Sequence, residues 1–267
     1  MENDYGQAYK RLYREHWWWR AREEFLIRVI EGLGLPPNPN ILDLGCGDGL
    51  FFDRLAQFGG TIEGLESDAS LVSPETAEKY KIHIGPLDQS FAPSKRYTLI
   101  LMLDVLEHLR DPEASLKHAV ELLEPGGRLV LTVPAFRCLW TNHDDMNHHY
   151  TRYIKRSLAP VAKFADLRIE RRQYFFHWLV PLKMAVRLKE LLIKSRPKPP
   201  NIPSPLINRA MLKLSLLEQY FFRNFSPPIG TSLLAVGRRG ESQEGVPAAA
   251  RVKQVAKPEA RLTDRSD

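Results

Sequence analysis

The sequence contains few cysteines and no long apolar run. Cys46 and Cys138 are the only cysteines among its 267 residues. Two cysteines are too few for a disulfide framework, and neither belongs to a CxxC or CxxxH ligand pair. No apolar stretch approaches the roughly 20 residues of a membrane-spanning helix, and the N-terminus lacks the apolar core of a signal peptide. These absences argue against an exported or membrane-spanning protein and favour the cytoplasm.

Acidic residues are scarce in one part of the chain. The net charge is +6, and residues 151–200 hold thirteen Lys or Arg against three Asp or Glu. A surface this basic can bind phospholipid headgroups, nucleic acid or an acidic substrate. It can equally be the solvated face of ordinary helices, so all four interpretations stay open.

Apolar runs of strand length alternate with helical patterns through most of the chain. The predicted strands are ILDL (41–44), TIEGLE (61–66), KIHI (81–84), YTLILML (97–103), GRLVLTVP (127–134), LRIERRQYFF (167–176) and IGTSLLAVGRR (229–239). Strands that alternate with helices pair in parallel through right-handed crossovers. The sequence therefore predicts an α/β fold with a doubly wound, mostly parallel seven-stranded sheet of the Rossmann-like type. Ligands bind such a sheet beyond the carboxyl ends of its strands.

The helical patterns and changes of composition predict how the chain is divided. Leu26, Val29 and Ile30 have the spacing of an amphipathic helix, and residues from 240 onward are polar and poor in aromatics. The predicted division is an N-terminal helical segment (1–36), a Rossmann-like domain (37–176), a helical cap inserted before the last strand (177–228), the final strand (229–239) and a disordered tail (240–267).

The stretch ILDLGCGDG joins a strand to Gly45, Gly47 and Gly49. Glycines are needed where the backbone turns tightly and a ligand approaches without a Cβ in the way. Dinucleotide-binding folds use GxGxxG and place a pyrophosphate at a helix N-terminus. This chain has GxGxG preceded by Asp43, whose carboxylate repels a diphosphate and attracts an ammonium group.

Glu66 lies at the end of the next predicted strand, TIEGLE. An acidic residue at this position accepts hydrogen bonds from the ribose hydroxyls of a nucleoside. An ammonium group at Asp43 and a ribose at Glu66, without phosphate, describe S-adenosylmethionine. We therefore predict this cofactor.

These motifs resemble those of the class I S-adenosylmethionine-dependent methyltransferases, in particular their bacterial type 11/23-like members. The resemblance covers most of residues 15–240, and its segments are HWWWRAREEFL, DLGCGDG, LDVLEHL, LEPGGRLVLTVPAF, HDDMNHHYTRY and PPIGTSLLAVGRR. It implies the class I methyltransferase fold and the cofactor, and it leaves the substrate open.

The resemblance also implies roles for individual residues of the cofactor site. The methionine end would be held by Asp43, Gly45, Cys46, Gly47 and Gly49, and the ribose by Glu66 and Ser67. The adenine would be bordered by Leu87 or Asp88. The methyl side would be lined by Asp104, Val105 and His108. The chain departs from the family at Thr98, where an aspartate is usual, and at Pro86, where an acid often contacts adenine.

The stretch HDDMNHHYTRY follows the fifth predicted strand, where an acceptor must lie. Its imidazoles and carboxylates raise the possibility of a metal site. It resembles the family pattern HDxxxxHxxRY, matched by His143, Asp144, His149, Arg152 and Tyr153, and this implies a lid over the acceptor in which Asp144 orients a base. The matched pattern offers too few well-spaced ligands for a closed metal site, so no metal is predicted. A hydrogen-bonded structural loop remains the alternative.

Methyl transfer from a sulfonium mainly requires alignment and exclusion of water. A hydroxyl acceptor must also lose a proton, for which histidine is the usual general base. The predicted catalytic residues are His108, His143, Asp144 and His149, and the predicted substrate contacts are Trp18, Arg22, Arg152 and Tyr153.

The segment YFFHWLVPLKMAVRLKELLI, residues 174–193, combines large apolar side chains with Lys183, Arg187 and Lys189. Such a segment can lie on an anionic membrane with its basic side chains at the headgroups, or it can pack on the sheet as a substrate-side subdomain. A membrane contact would make the protein peripheral at the inner face of the membrane.

The sequence thus predicts an S-adenosylmethionine-dependent methyltransferase that acts on a small-molecule or lipid-linked acceptor, with oxygen favoured as the nucleophile. One alternative is an RNA methyltransferase, which the basic segment favours. The motif DVLE disfavours it, because base amino groups are methylated by an Asn/Asp-Pro-Pro-Tyr/Phe motif, and nucleic acid is not expected as a partner. The other alternative is a non-catalytic scaffold that binds cofactor or membrane.

Overall fold

The computed structural model describes residues 10–193 and 200–240. Its strands are β1 (Asn40–Leu44), β2 (Thr61–Glu66), β3 (Lys81–Ile84), β4 (Tyr97–Leu103), β5 (Leu123–Pro134), β6 (Leu167–Phe175) and β7 (Ser232–Arg239). They form a seven-stranded sheet in the order β3-β2-β1-β4-β5-β7-β6. Strand β7 is antiparallel to both of its neighbours, and the other pairs are parallel. The predicted fold class is confirmed.

Eight α-helices lie wholly within the described part of the chain, after a helical stretch at residues 10–15. They are α1 (Trp17–Glu31), α2 (Phe52–Leu55), α3 (Pro74–Lys79), α4 (Pro112–Glu121), α5 (Asn142–Met146), α6 (Lys155–Phe164), α7 (Leu179–Leu192) and α8 (Pro205–Phe221). Helices α7 and α8 lie between β6 and β7 in the chain. None of the helices in residues 10–193 and 200–240 has both the length and the apolar character that crossing a bilayer requires. Of the predicted disordered tail, residues 241–267 fall outside the described residues.

Both faces of the sheet are buried. Along β4, Leu99 and Leu101 belong to one apolar layer, and Ile100 and Met102 belong to the other. Side chains alternate across a strand, so a continuous apolar run is what a sheet covered on both faces needs. Helix α1 contributes to the first layer and α4 to the second. The loops at the carboxyl ends of the strands remain available for a site.

The register of the central strands brings these ends together. Leu44 at the end of β1 is paired with Leu65 of β2 on one side and with Met102 of β4 on the other. The residues that follow the three strands therefore meet at one edge. This edge holds the glycine loop, Glu66 and Asp104.

Candidate active site

The glycine loop follows β1 and is fastened to β2. The Gly45 N–H donates to the Leu65 carbonyl at 2.7 Å. Gly45 and Gly47 have φ values of 72° and 55°, in the left-handed region that favours glycine. A Cβ added at Gly45 would lie 2.6 Å from Cγ2 of Val105, whereas one at Gly47 would meet no atom within 4 Å. The loop is closely packed at Gly45 and open at Gly47, where a ligand can approach.

The buried carboxylate of Glu66 contacts this loop. One oxygen accepts a hydrogen bond from the Gly47 N–H at 2.8 Å. The other accepts from the Asp68 N–H at 3.0 Å and from the Ser67 hydroxyl at 3.2 Å. A carboxylate has about four acceptor positions. Glu66 is thus held rigidly at the loop and retains acceptor capacity for a ligand hydroxyl.

Asp43 and Cys46 are further predicted cofactor residues with perturbed pKa values. Burial raises the pKa of Asp43 to about 7, while the positive charge of Arg22 opposes the shift. A ligand cation beside Asp43 would favour its ionised form. Burial also raises the pKa of the Cys46 thiol. Cys46 is therefore a neutral packing group and not a thiolate nucleophile.

Helix α1 reaches the end of β4 through Arg22. Its Nη2 lies 2.7 Å from Oδ2 of Asp104 and donates to the Thr132 hydroxyl at 3.1 Å. The guanidinium carbon also lies 5.6 Å from the centre of the Trp18 ring. Asp104 has a φ of 59°, so the chain turns sharply here. The structure thus joins Arg22, which was predicted to contact the acceptor, to a residue predicted to line the methyl side.

The two candidates for the adenine differ in their surroundings. Leu87 is partly buried against the core. Asp88 is exposed, and its carboxylate accepts hydrogen bonds from the N–H and the hydroxyl of Ser90 at 2.8 and 2.6 Å. An open cleft of about 340 Å³, lined by residues that include Leu65 and Phe91, adjoins this segment. Leu87 offers the apolar surface that suits a purine, whereas Asp88 stabilises its own turn.

The lid segment is organised around the fully buried Asp144. Arg152 donates from Nε and Nη2 to the two carboxylate oxygens at 2.8 and 2.9 Å, and from Nη1 to the Ala135 carbonyl at 2.9 Å. His149 Nδ1 lies 2.9 Å from Oδ1. Burial would raise the pKa of Asp144, but the hydrogen bonds from His149 and Arg152 outweigh it and hold this pKa well below its usual range. The lid is therefore pinned to the end of β5.

His149 faces a second histidine and a buried carboxylate. Its ring centre lies 4.7 Å from that of His108, in a T-shaped contact. One side-chain ligand atom each of Glu107, His108 and His149 lies within 4.8 Å of the others. Glu107 was missed by the sequence interpretation. Its signal was present in the motif LDVLEHL, where an acid precedes the predicted histidine.

The remaining predicted lid residues lie elsewhere. His143 is exposed and does not belong to the Glu107–His108–His149 cluster. Tyr153 is buried in the core, its backbone N–H donates to the Pro134 carbonyl at 2.9 Å, and burial raises its pKa to about 12. Arg152 directs its guanidinium to Asp144 and Ala135. The contacts of Tyr153 and Arg152 are structural ones. A catalytic role of His143 and roles of Arg152 and Tyr153 in acceptor binding stay predictions.

Helix α7 holds the lid from outside. Lys183 Nζ donates to the Thr141 hydroxyl at 3.1 Å, and Glu190 accepts from the Asn142 N–H at 3.0 Å. Arg187 donates to the Trp140 carbonyl. One of the two sequence interpretations placed the basic side chains of this segment at lipid headgroups, and the other packed the segment on the sheet. Lys183 and Arg187 contact the lid, where the Thr141 hydroxyl and the Trp140 carbonyl accept their hydrogen bonds.

A family model described as a methyltransferase domain matches residues 18–179, more than half of the chain. The chain belongs to this methyltransferase family. The match runs from α1 to the start of α7 and includes the glycine loop, Glu66 and the lid. The enzyme class and the cofactor prediction are confirmed: the chain is a methyltransferase that uses S-adenosylmethionine.

Curated relatives match about half of the chain. The ubiquinone biosynthesis O-methyltransferase of Coxiella burnetii (strain RSA 493 / Nine Mile phase I) is 32% identical over 162 residues, which cover 54% of this chain and 69% of that protein. The protein of the same name from Hydrogenovibrio crunogenus is 27% identical over 153 residues, which cover 51% of this chain and 58% of that protein.

Solved structures show the same fold at low sequence identity. A TehB-like S-adenosylmethionine-dependent methyltransferase from Corynebacterium glutamicum has a TM-score of 0.53 and 18% identity, covering 89% of this chain and 97% of that one. A further S-adenosylmethionine-dependent methyltransferase, from Clostridium acetobutylicum, has a TM-score of 0.54 and 11% identity, covering 89% and 98%. These similarities concern the fold.

Proposed function

We propose that this methyltransferase acts on a hydroxyl oxygen of a small, apolar or lipid-linked acceptor at a membrane surface. The observation that carries the proposal is the Asp144–His149 pair at the end of β5, beside His108. Relatives that are named O-methyltransferases support oxygen as the nucleophile.

The residues at the strand ends fit S-adenosylmethionine. The loop is open at Gly47, Asp43 supplies a buried carboxylate for the ammonium group, and Glu66 supplies acceptors for ribose hydroxyls. No cluster of backbone N–H groups suited to a diphosphate is needed for this ligand. The bound cofactor supplies a methyl group on a positively charged sulfur.

His149 is placed to hold the proton that the acceptor loses. Its Nδ1 is directed at Asp144 by the 2.9 Å contact, so the proton is assigned to Nδ1 and Nε2 is the free acceptor. As the acceptor oxygen forms its bond to the methyl carbon, the bond from carbon to sulfur breaks and sulfur keeps the electron pair. The hydroxyl proton passes to Nε2. Asp144 stabilises the resulting imidazolium because it is itself fixed by Arg152.

An unusual distribution of polarity on α8 supports the membrane part of the proposal. The residues that α8 buries are polar: Ser215, Glu218 and Gln219. Glu218 accepts from the Trp178 N–H at 2.7 Å, and Gln219 donates to the Ala21 carbonyl at 2.9 Å. The helix is therefore attached to the rest of the protein by these hydrogen bonds together with the partly buried Met211 and Leu212, which pack against the core.

Most of the other apolar side chains of α8 are exposed, and α7 also exposes several. We call these exposed side chains the apolar face; its members include Leu188, Leu191, Leu192, Leu206, Leu217 and Phe221. Clustered exposed apolar side chains mark interaction sites. The exposed cations Lys189, Arg209 and Lys213 lie on the same two helices. Apolar side chains with interspersed cations fit an anionic lipid surface.

Methylation of a hydroxyl is tested directly with purified protein and S-adenosylmethionine. We expect methyl transfer to a phenol with an isoprenoid tail, presented in vesicles, and formation of an O-methyl ether identified by mass spectrometry. His149→Gln should lower turnover by about 10² to 10⁴-fold, because it removes the base. The neighbouring His148→Asn is the matched control, since asparagine tolerates the φ of 55° found there. Activity on RNA alone would favour the alternative function and overturn this one.

Membrane contact is tested by flotation with vesicles that contain or lack anionic lipid. Replacing Leu217 and Phe221 with Gln should reduce binding without loss of folding, because both side chains are exposed. Phe164→Gln, an equally exposed aromatic on α6, is the control and should bind as the wild type does. Equal binding by all three proteins would remove the apolar face from the proposal.

A further inference from the structure

We propose that Glu107, His108 and His149 form a binding site for a divalent transition-metal ion at the methyl end of the active site. One ligand atom from each lies within 4.8 Å of the other two. One carboxylate and two imidazoles are the ligand set of catalytic zinc sites and of several iron sites, and this set keeps a coordination position open. Of these three residues, the family pattern HDxxxxHxxRY includes only His149.

The carboxylate of Glu107 has no partner in the described part of the protein. Its side chain is completely buried, and neither oxygen is hydrogen-bonded there. The Tyr150 N–H donates a 2.8 Å hydrogen bond to the backbone carbonyl of Glu107 and not to its carboxylate. Burial of an ionisable group without a partner is costly. A cation between Glu107 and the two histidines would supply the missing partner.

The imidazole of His149 is oriented so that one nitrogen is left for a ligand. His149 directs Nδ1 to Asp144, and Asp144 is fixed in turn by Arg152. The ring of His108 lies in T-shaped contact with that of His149, with the ring centres 4.7 Å apart. A carboxylate or carbonyl on the far nitrogen is the usual support of a metal-bound histidine, because it fixes both the tautomer and the ring orientation.

Binding of an ion requires the three side chains to move together. Ligand atoms about 2.1 Å from a tetrahedral ion lie about 3.4 Å apart. The ligand atoms lie within 4.8 Å of one another in the structure, so each separation must shorten by up to about 1.4 Å when an ion binds. Mixed nitrogen and oxygen ligands favour zinc or a neighbouring transition metal, whereas magnesium prefers sites made of oxygen.

The role of the ion in the reaction rests on the proposed function, but its binding does not. With an ion bound, Nε2 of His149 is a ligand and no longer the base. The acceptor hydroxyl then takes the open position, where the ion lowers its pKa and its proton leaves to solvent. The bond changes at the methyl carbon stay as described for the proposed function.

The test is calorimetric titration of the chelator-treated full chain with zinc, and separately with magnesium. We expect one zinc per chain and much weaker binding of magnesium. Glu107→Gln, which keeps the shape and removes the charge, and His149→Ala should each weaken zinc binding by about 100-fold or more. His148→Asn, in the same loop but outside the cluster, should bind zinc as the wild type does.

Thermal unfolding separates lost binding from lost folding. Zinc should raise the Tm of the wild type and of His148→Asn and leave that of a folded Glu107→Gln unchanged, because only a ligand that binds the native state stabilises it. No saturable zinc binding by the wild type, or equal binding by Glu107→Gln, would overturn the site. Zinc binding without methylation of any hydroxyl acceptor would overturn the proposed function and keep the site.

Discussion

The predicted cofactor half and the proposed acceptor half of the candidate site are built in different ways. Asp43, Gly47 and Glu66 lie at the ends of adjacent strands, and the pairing of β1 with β2 brings them together. The acceptor half depends on contacts between distant elements: Asp144 with Arg152, His108 with His149, and α7 with the lid. The first half is rigid because the sheet is rigid. The second half depends on a few buried polar pairs.

The largest loss of stability is expected for substitution of Asp144, the buried carboxylate at the centre of the acceptor half. Asp144→Ala removes the partner of a buried guanidinium, so we expect a loss of about 3 to 5 kcal/mol in the free energy of unfolding. Denaturant unfolding measures this loss. Asp145→Ala, which removes only an exposed hydrogen bond to the Trp140 indole, should cost about 1 kcal/mol or less. Equal losses in the two variants would show that the lid is not pinned by Asp144.

Substitution of Gly45 should destabilise the cofactor half, because the site has no room for a larger side chain. Alanine there would combine a φ of 72° with a contact of 2.6 Å to Val105. We expect a loss of about 1 to 3 kcal/mol in the free energy of unfolding and weaker cofactor binding. Gly47→Ala has the same backbone strain without the clash and should cost less. Adding Val105→Ala to Gly45→Ala should recover part of the loss, and a double variant as unstable as the single one would exclude the clash as its cause.

The sequence predicts the strands that carry the cofactor half well because their signals are local. Strands β2, β3 and β4 begin and end where their apolar runs do, and β1 begins one residue earlier, at Asn40. Strand β5 departs further: it begins at Leu123 and not at Gly127, because Leu123 pairs with Tyr97 ahead of a register shift. The pattern LEPG has the composition of a turn, and only the neighbouring strand makes it extended.

The acceptor half was predicted less completely because its partners are far apart in the chain. The lid motif indicated that Asp144 and His149 act together, and the structure places them 2.9 Å apart. No local sequence pattern indicates that the Glu107 carboxylate lies near His149, or that Lys183 hydrogen-bonds to the lid. The tertiary packing of the loops decides these contacts. For the same reason, fewer of the basic residues in 151–200 are available to phosphates than their number indicates.

Substitution of Glu66 tests whether cofactor binding and acceptor binding are independent, in a protein that stays folded. Glu66→Gln should weaken S-adenosylmethionine binding by about 1 to 3 kcal/mol, because charge-assisted hydrogen bonds to the ribose are lost. The KM of the acceptor should stay the same, since the two halves are held separately. Asp88→Ala is the control within the predicted adenosine site and should bind cofactor normally, because the exposed Asp88 carboxylate is hydrogen-bonded to Ser90 of its own turn. An unchanged affinity in Glu66→Gln would remove Glu66 from the site.

The pH dependence of cofactor binding tests the charge assigned to Asp43. Its pKa is raised to about 7 by burial, and the ionised form is the one that attracts an ammonium group. Below about pH 7 the free protein carries a proton at Asp43 that must leave before the ammonium group binds, so affinity should fall by up to about tenfold for each pH unit below 7. The amino group of the cofactor stays charged over this range. Calorimetric titration at several pH values measures the slope.

Stability should move in the opposite direction with pH. The folded chain without cofactor keeps the Asp43 proton from about pH 4 to about pH 7, whereas the unfolded chain loses it near its ordinary pKa of about 4. Folding therefore becomes less favourable as the pH rises through this window. Asp43→Asn should flatten both profiles, since amide groups do not titrate. If the cofactor affinity of Asp43→Asn still falls with decreasing pH as in the wild type, another group titrates. Asp43 would then not be the partner of the cofactor's ammonium group.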